Sequence, residues 1–269
     1  MGPRRLSAPR QRTVWLSGRF LSEARAHVPT NCLTLSFGVG LYETLRLVHG
    51  VAPLLELHLT RLRDACSRLG LRLKQRDWAE VLAELATRNR IRNGRAKILI
   101  GDGFELATCT QLPRGLADER RKGISLMSAP LERNLAQFKD TSRLALWAAE
   151  RSLGAEVLLV SARRQLLETT RANLFVVSER GLETAPATRV LPGVARGLIL
   201  ELARGMGVTV QLRAPSLRQR ARWLEVFVSN ALRGIRPVRR IDALTFAAPS
   251  ASSLTRRLQR GLDERMGLS

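Results

Sequence analysis

At 269 residues the chain is long enough for one large or two modest domains. Hydrophobic residues make up 45% of it, which excludes a disordered chain, and no apolar run approaches the roughly 18 residues that would span a membrane. The formal net charge of +22 is carried mainly by arginines spread over every segment, and aromatic residues for base stacking are few. We therefore interpret the charge as a general surface property and expect no specific nucleic-acid partner and no membrane partner.

The cysteines and histidines indicate neither disulfides nor a metal site. Cys32, Cys66 and Cys109 are far apart and form no CxxC motif, which is typical of reduced thiols in a cytoplasmic protein. The three histidines form no plausible cluster of metal ligands. The N-terminal MGPRRLSAPRQRT contains arginines without an apolar stretch, so we interpret it as a frayed tail and not as a secretory signal.

The first half of the chain predicts a small α/β unit. Strands are predicted over 13–17, 41–48, 96–100 and 124–128, helices over 54–69 and from Asp77 onward, and loops over 18–40 and 101–123. The strand over 41–48 alternates, with Glu43 among three leucines on one face. The other face carries Tyr42, Thr44 and Arg46 in one row, as the wall of a polar cleft would. A half-exposed edge strand is the alternative interpretation.

The second half predicts strands flanked by helices. Residues 130–138 lack periodicity and are interpreted as a linker between domains 1–129 and 139–269. A helix over 141–153 is expected to bury four apolar residues: Leu144, Trp147, Ala148 and Leu153. Strands over 156–160 and 166–177 form a hairpin, and a helix over 194–204 follows Pro192-Gly193. A strand over 208–212, a short helix over 216–223, a strand from 225 and an amphipathic terminal helix complete the chain.

One lysine and one glutamate in this half suggest a cofactor site. The chain has only four lysines, and Lys74 and Lys122 stand in charged, loop-like runs. Of the remaining two, Lys97 and Lys139, only Lys139 is followed by a motif that supplies a fixed carboxylate, Glu168. A buried amine that closes a Schiff base, and a carboxylate that keeps the ring nitrogen protonated, are what a protein needs to use pyridoxal phosphate. The backbone N–H groups at the start of the 194–204 helix would suit a phosphate.

Six short motifs in order resemble the class IV aminotransferases, the pyridoxal phosphate enzymes of fold-type IV. They are Tyr42-Glu43-Thr44-Leu45-Arg46, His58-x-x-Arg61-Leu62, Lys139, Glu168-Thr-x-x-Ala172-Asn173-Leu174-Phe175, Leu191-Pro192-Gly193 and Glu225-Val226-Phe227. Within that family, Arg143 and the stretch Asn230-Ala231-Leu232-x-Gly234-Ile235-x-Pro237-Val238 look most like the lyases that act on 4-amino-4-deoxychorismate. The resemblance implies a two-domain α/β (α+β) fold, with a small N-terminal α/β domain and a larger, mostly β C-terminal domain that binds the cofactor.

The resemblance also implies a role for each matching residue. Lys139 would form the Schiff base and carry the proton, and Thr44 would assist the elimination. Glu168 would pair with the pyridine nitrogen, and Arg143 would lie near the cofactor's phenolic oxygen. The remaining implied contacts are to the phosphate (Arg61, Val194, Ala195 and Ala231) and to the substrate (Tyr42, Arg46 and Lys97). Ala195 and Ala231 depart from the family pattern because neither carries a hydroxyl.

Three functions are weighed on this basis. The first is a lyase that forms 4-aminobenzoate and pyruvate for folate synthesis. The second is an aminotransferase acting on branched-chain or D-amino acids on the same scaffold. The third is a non-enzymatic, charge-driven nucleic-acid binder, which gives no reason for Lys139 and Glu168 to occur together with the other motifs. The resemblance further implies a homodimer with the cofactor cleft between two domains.

Overall fold

Two β-sheets organise the chain in a computed structural model that describes residues 12–268. The strands are β1 (Thr13–Leu16), β2 (Arg19–Ser22), β3 (Gly40–Leu47), β4 (Gly94–Gly101), β5 (Glu105–Gln111), β6 (Ile124–Ala129), β7 (Val157–Val160), β8 (Leu166–Thr169), β9 (Asn173–Ser178), β10 (Gly181–Thr184), β11 (Val210–Leu212), β12 (Trp223–Asn230), β13 (Gly234–Ile241) and β14 (Leu244–Thr245). The helices are α1 (Leu33–Phe37), α2 (Leu55–Leu69), α3 (Trp78–Arg88), α4 (Leu116–Lys122), α5 (Leu144–Leu153), α6 (Val194–Gly205) and α7 (Leu254–Arg265). The segment 1–11, predicted as a tail, lies outside the described residues.

The first sheet is antiparallel, with the strand order β2-β1-β5-β4-β3. Its inner face carries leucines and isoleucines from β3 and β4, and the apolar stripes of α2 and α3 pack on that face. Asp77 caps α3 by accepting a hydrogen bond from the Glu80 N–H, as its sequence position predicts. The alternation predicted for 41–48 is confirmed, since Leu41, Leu45 and Leu47 are buried in this core.

The second sheet has nine strands, six of which close into a ring. The order β9-β12-β13-β6-β7-β8 returns to β9 through the pairing of Glu168 with Asn173. Apolar side chains from these strands fill the interior, while α6 and α7 cover the outer face of β9 and β12. Among residues 12–268, no helix is both long and apolar enough to cross a membrane. Two sheets with helices packed on them make the fold mixed α/β, as the sequence predicts.

Two segments predicted as loops contain regular elements instead. Residues 101–123 hold β5 and α4, and residues 18–40 hold β2 and α1. Strand β5 lies in the middle of its sheet, but its buried positions are taken by small side chains such as Ala107 and Cys109, which give a weak apolar signal. Helix α4 buries only Leu116, and its charged side chains pair with other elements.

The burial predicted for the helix over 141–153 is wrong. Leu144 and Trp147 are 76% and 57% exposed, Ala148 and Leu153 are also exposed, and Leu146 is the buried residue. Helical spacing identifies an apolar face but does not determine what covers it. The apolar face of α5 consequently points away from the core of this chain.

The division at residue 129 does not follow the two sheets. Strand β6 is paired with β13 and β7, so it belongs to the second sheet, and the linker residue Arg133 bonds to Glu168 in that sheet. The chain leaves the first sheet after β5. We propose that the boundary between the two units lies between residues 111 and 116.

Candidate active site

A cavity of about 670 Å³ lies between the two sheets. Strands β3 and β4 form one wall, and the start of α6 and the turn after β12 form the other. Ten of the eleven residues singled out from the sequence line it: Tyr42, Thr44, Arg61, Lys97, Lys139, Arg143, Glu168, Val194, Ala195 and Ala231. The fold therefore gathers side chains that are up to 189 positions apart, from Tyr42 to Ala231, around one space.

The segment 139–141 is hydrogen-bonded to the otherwise free edge of β3. The Tyr42 N–H donates to the Lys139 carbonyl (2.9 Å), and the Thr141 N–H donates to the Gly40 carbonyl (3.0 Å). This pairing fixes the backbone of Lys139 and brings its Nζ to 4.7 Å from the centre of the Tyr42 ring. Burial, reinforced by Arg61, lowers the pKa of Lys139 from 10.5 to about 8. A larger share of its amine is therefore neutral, and hence nucleophilic, near neutral pH.

Tyr42 is the centre of a group of cations. The Lys97 Nζ also lies 4.7 Å from its ring centre, and Arg143 Nη1 donates to the Tyr42 hydroxyl (3.1 Å). A second bond from Arg143, to the Thr170 carbonyl (2.6 Å), holds its guanidinium in place. Lys97 is directly opposite Thr44 in the β3–β4 ladder, so the two side chains share the cavity face.

Glu168 is 4% exposed and is held by three donors. Arg133 Nη1 binds one carboxylate oxygen (3.1 Å), while the Asn173 amide (3.3 Å) and the Leu191 N–H (3.1 Å) bind the other. Burial raises the pKa of Glu168, and Arg133 and the Leu191 N–H oppose that rise. Because a carboxylate has about four acceptor positions, one remains for a further N–H donor.

The start of α6 and Arg61 form a further part of the cavity wall. Arg61 Nη1 donates to the Pro192 carbonyl (3.0 Å), just before the helix, whose first N–H groups have no partner within the helix. Glycine at position 193 lets the backbone before α6 lie close to the Asn173 side chain, since a Cβ there would be 2.2 Å from the Asn173 Oδ1. An arginine beside a helix N-terminus is suited to a phosphate. Ala195 and Ala231, which also line the cavity, contribute no hydroxyl.

Arg46 is the one predicted site residue that does not line this cavity. Its Nη1 donates to the Leu232 carbonyl (3.0 Å), so its guanidinium supports the turn after β12 from behind. Tyr42, Thr44 and Arg46 lie in one row on β3, as predicted, but only Tyr42 and Thr44 line the cavity. This placement does not support a contact between Arg46 and a substrate in the cavity.

Three residues of the site were not assigned a role from the sequence. Glu43 is 1% exposed and binds Arg61 through both carboxylate oxygens (2.8 and 2.5 Å) and His58 Nδ1 (2.7 Å). A glutamate on an otherwise leucine-rich strand face was a detectable signal for such a buried pair. Arg133, which holds Glu168, lies in the segment predicted as a linker, and nothing in its local pattern distinguishes it.

These features define the site of a pyridoxal phosphate enzyme. A reactive lysine, an anchored carboxylate with room for one more donor, and an arginine at a helix N-terminus match the aldehyde, ring nitrogen and phosphate of that cofactor. The family model described as amino-transferase class IV matches residues 40–241. The chain belongs to the class IV aminotransferase family, whose cofactor is pyridoxal phosphate.

Known proteins similar to this chain have different activities. A D-alanine aminotransferase from Bacillus licheniformis is 24% identical over 93% of this chain and 95% of its own length. The structure of a branched-chain amino acid aminotransferase from Escherichia coli superposes with a TM-score of 0.83 at 21% identity, covering 96% of both chains. The structure of 4-amino-4-deoxychorismate lyase from Pseudomonas aeruginosa is 29% identical, with a TM-score of 0.80 over 93% of this chain and 98% of that one.

Proposed function

We propose that this protein is a pyridoxal phosphate-dependent lyase that converts 4-amino-4-deoxychorismate into 4-aminobenzoate and pyruvate, in cytoplasmic folate synthesis. The observation that carries the proposal is the pairing of Thr44 with Lys97 on the cavity wall, next to the Tyr42 ring whose centre lies 4.7 Å from the amines of both Lys97 and Lys139. A hydroxyl, a cation and a basic amine in one space are what an elimination from an anionic substrate needs. The 29% identity to a lyase supports the same reaction.

The cation content of this wall fits a substrate with two carboxylates. Lys97 and Arg95 both line the cavity; Lys97 lies over the Tyr42 ring and Arg95 binds the Thr110 hydroxyl, and within residues 12–268 neither forms an ion pair with an acidic side chain. Burial lowers the pKa of Lys97, and Arg95 and Lys139 add to that effect, so an anion beside it would be favourable. By contrast, Arg171 and Arg233, which also line the cavity, are already bound to Glu150 and Glu119.

The residues of the chain can then be given roles around the cofactor. Arg61, the N–H groups of Val194 and Ala195, and the turn at Ala231 would hold the phosphate. Glu168 would bind the ring nitrogen, while Arg143 and Tyr42 would bind near the phenolic oxygen. When bound, the cofactor supplies the electron sink that makes the carbon next to the substrate amine acidic.

The proton transfers fall to two side chains. Lys139 removes the proton from the carbon that bears the amine. The carbon–oxygen bond to the enolpyruvyl group then breaks, and Thr44 or Lys139 returns a proton so that this group leaves as pyruvate. The ring becomes aromatic as 4-aminobenzoate, which makes the step favourable. Lys97 holds a substrate carboxylate during these steps.

The alternative is an aminotransferase acting on D-amino or branched-chain amino acids, which the similarity to the D-alanine aminotransferase supports. The two proposals differ in their need for an amino acceptor. With 4-amino-4-deoxychorismate and no keto acid, a lyase releases pyruvate at every turnover. Lys139→Ala should release none, and Thr44→Val should be slowed by roughly 100-fold because it lacks the hydroxyl. Transfer of the amino group from D-alanine or leucine to 2-oxoglutarate, together with no release of pyruvate from 4-amino-4-deoxychorismate, would support the aminotransferase.

We also propose that the protein acts as a homodimer. Exposed apolar side chains on α1 and α5 form one surface, which we call the α1–α5 face: Leu35, Phe37, Leu144 and Trp147. The two elements are joined because the hydroxyls of Thr141 and Ser142 donate to the Gly38 carbonyl. A second copy of the chain would cover this face next to the cavity mouth.

A further inference from the structure

A second, much smaller cavity of about 10 Å³ lies behind the phosphate end of the site. Its lining includes Arg46 from β3, His58 from α2 and Ala231 from the turn after β12, with apolar side chains around them. Arg46 Nε and His58 Nε2 are both buried and have no hydrogen-bond partner among residues 12–268. Both residues line this cavity, and His58 also lines the larger one. Buried polar groups are almost always paired, and a ligand between the two residues would pair both atoms.

His58 presents an acceptor to this cavity. Its Nδ1 lies 2.7 Å from a Glu43 oxygen. Burial alone would raise the pKa of Glu43, but Arg61 and His58 outweigh it and lower this pKa to about 2, so Glu43 is a carboxylate and can only accept. Burial also lowers the pKa of His58, which favours the neutral ring. The single ring proton is therefore on Nδ1, which leaves a lone pair on Nε2.

Arg46 presents a donor to the same cavity. Its guanidinium is always protonated, and only Nη1 is engaged, with the Leu232 carbonyl (3.0 Å). A ligand between the two residues must accept from Arg46 and donate to His58. A metal ion would be repelled by the positive charge of Arg46. A simple anion has no proton to donate to His58 and would be repelled by the lone pair on its Nε2. A volume of about 10 Å³ matches a single water molecule.

We propose that this cavity binds one water molecule, which accepts a hydrogen bond from Arg46 Nε and donates one to His58 Nε2. The water joins α2 to β3 and, through Arg46, to the turn at Leu232. It also fixes the tautomer in which His58 donates to Glu43, and Glu43 in turn orients Arg61. This last consequence, unlike the water site itself, rests on the proposed role of Arg61 in binding the phosphate.

A high-resolution crystal structure of the protein with pyridoxal phosphate tests the water directly. We expect one solvent peak about 2.7–3.2 Å from both His58 Nε2 and Arg46 Nε. A cavity without solvent density, or a side chain that bonds one of these atoms directly, would overturn the proposal. No substrate is needed, so the result does not depend on whether the protein is a lyase.

The hydrogen on His58 provides a test in solution. Two-bond ¹H–¹⁵N spectra of histidine-labelled protein, assigned with His58→Gln, should show the Nδ1–H tautomer with a hydrogen-bonded Nε2. Arg46→Met removes the donor to the water and should shift the Nε2 resonance. Arg95→Met is the matched control, because it removes the same charge from the residue paired with Arg46 across the β3–β4 ladder, and it should leave the resonance unchanged. An Nε2–H tautomer, or equal shifts in both variants, would contradict the proposal.

Discussion

Lys139 is set apart from the other lysines by its surroundings and not by its own sequence position alone. Burial and the nearby Arg61 lower its pKa to about 8, while the pairing of its backbone with β3 holds the amine beside Tyr42. Lys97 faces the same cavity from β4, where it lies opposite Thr44, and its amine approaches the same Tyr42 ring as that of Lys139. On this basis we propose that Lys139 is the nucleophilic amine and that Lys97 binds an anion.

The rate at which the apoprotein binds pyridoxal phosphate covalently should depend on pH in a defined way. Only the neutral amine reacts, so the rate should rise with pH and level off above about 8, where Lys139 is deprotonated. A lysine with the ordinary pKa would give a rate that still rises near pH 10. Stopped-flow absorbance of the bound cofactor measures this profile. Lys97→Ala should keep it, and Lys139→Ala should abolish the covalent phase.

Arg133 should be needed for the charge state of Glu168. In Arg133→Met the buried carboxylate loses its cation, so the pKa of Glu168 should rise further above its ordinary value. The free energy of unfolding should fall by about 1–3 kcal/mol near pH 8. The loss should shrink toward pH 5, because a protonated Glu168 needs no counter-ion. Urea unfolding at both pH values measures this difference.

Arg171→Met is the control for Arg133→Met. Its ion pair with Glu150 lies at the surface, with the arginine side chain about half exposed, and should be worth about 0–1 kcal/mol. An equal loss of stability for both variants, or a loss for Arg133→Met that does not change with pH, would contradict the assigned role of Arg133.

The sequence was sufficient for some of these residues and not for others. Lys139 and Glu168 could be identified because lysines are few and a motif follows one of them. Arg133 could not be identified in this way, since its role comes from a hydrogen bond to Glu168, which lies 35 positions further along the chain. The placement of Arg46 also depends on a distant element, the turn at Leu232, so its strand periodicity alone suggested a substrate contact.

Among the elements, both the strand and the buried face of β3 could be predicted, whereas for α5 only the helix could be predicted and not its buried face. The alternation on β3 gave both of its faces correctly, because a sheet with one buried face enforces a period of two. The helix of α5 was predicted, but its apolar residues were assigned to the interior. They are exposed because no other part of residues 12–268 packs on this face.

The α1–α5 face predicts how the protein associates. Phe37→Ser and Trp147→Ser should each weaken a dimer at least roughly tenfold, because exposed aromatic residues dominate interface energies. Leu224→Ser is the control, since Leu224 is 57% exposed but lies on β12, outside this face. Light scattering across a concentration series measures the dissociation constants. A wild-type monomer at every concentration, or equal effects of all three substitutions, would contradict the homodimer.

Helix α4 shows why a charged run can be misinterpreted. Its sequence is typical of a solvated loop, yet Glu119 binds Arg233 and Arg236, and Arg120 binds Asp263 on α7. Arg236 is 2% exposed and the Glu119 side chain is 31% exposed, so the Glu119–Arg236 ion pair is partly buried. Local composition cannot distinguish such ion pairs from surface charges, because the partners are more than 110 positions away along the chain.

At the scale of the whole molecule, the site exists because two sheets meet. The sequence predicted most of the strands, but it could not give the ring of six strands, whose closure depends on one pairing between Glu168 and Asn173. That pairing places the Glu168 carboxylate where the ring closes. Lys139, whose backbone is hydrogen-bonded to the edge of the first sheet, lines the same cavity. Long-range pairings of this kind depend on the complete topology and not on local propensity.

The most direct test of this account is borohydride reduction of the protein loaded with pyridoxal phosphate, followed by peptide mapping. We expect one phosphopyridoxyl-labelled peptide, which contains Lys139, no label at this position in Lys139→Ala, and an unchanged label in Lys97→Ala. Glu168→Gln should keep the label but lose turnover, because the amide cannot hold a cationic ring nitrogen. A label on Lys97 or on another lysine, or no label at all in the wild-type protein, would contradict this expectation.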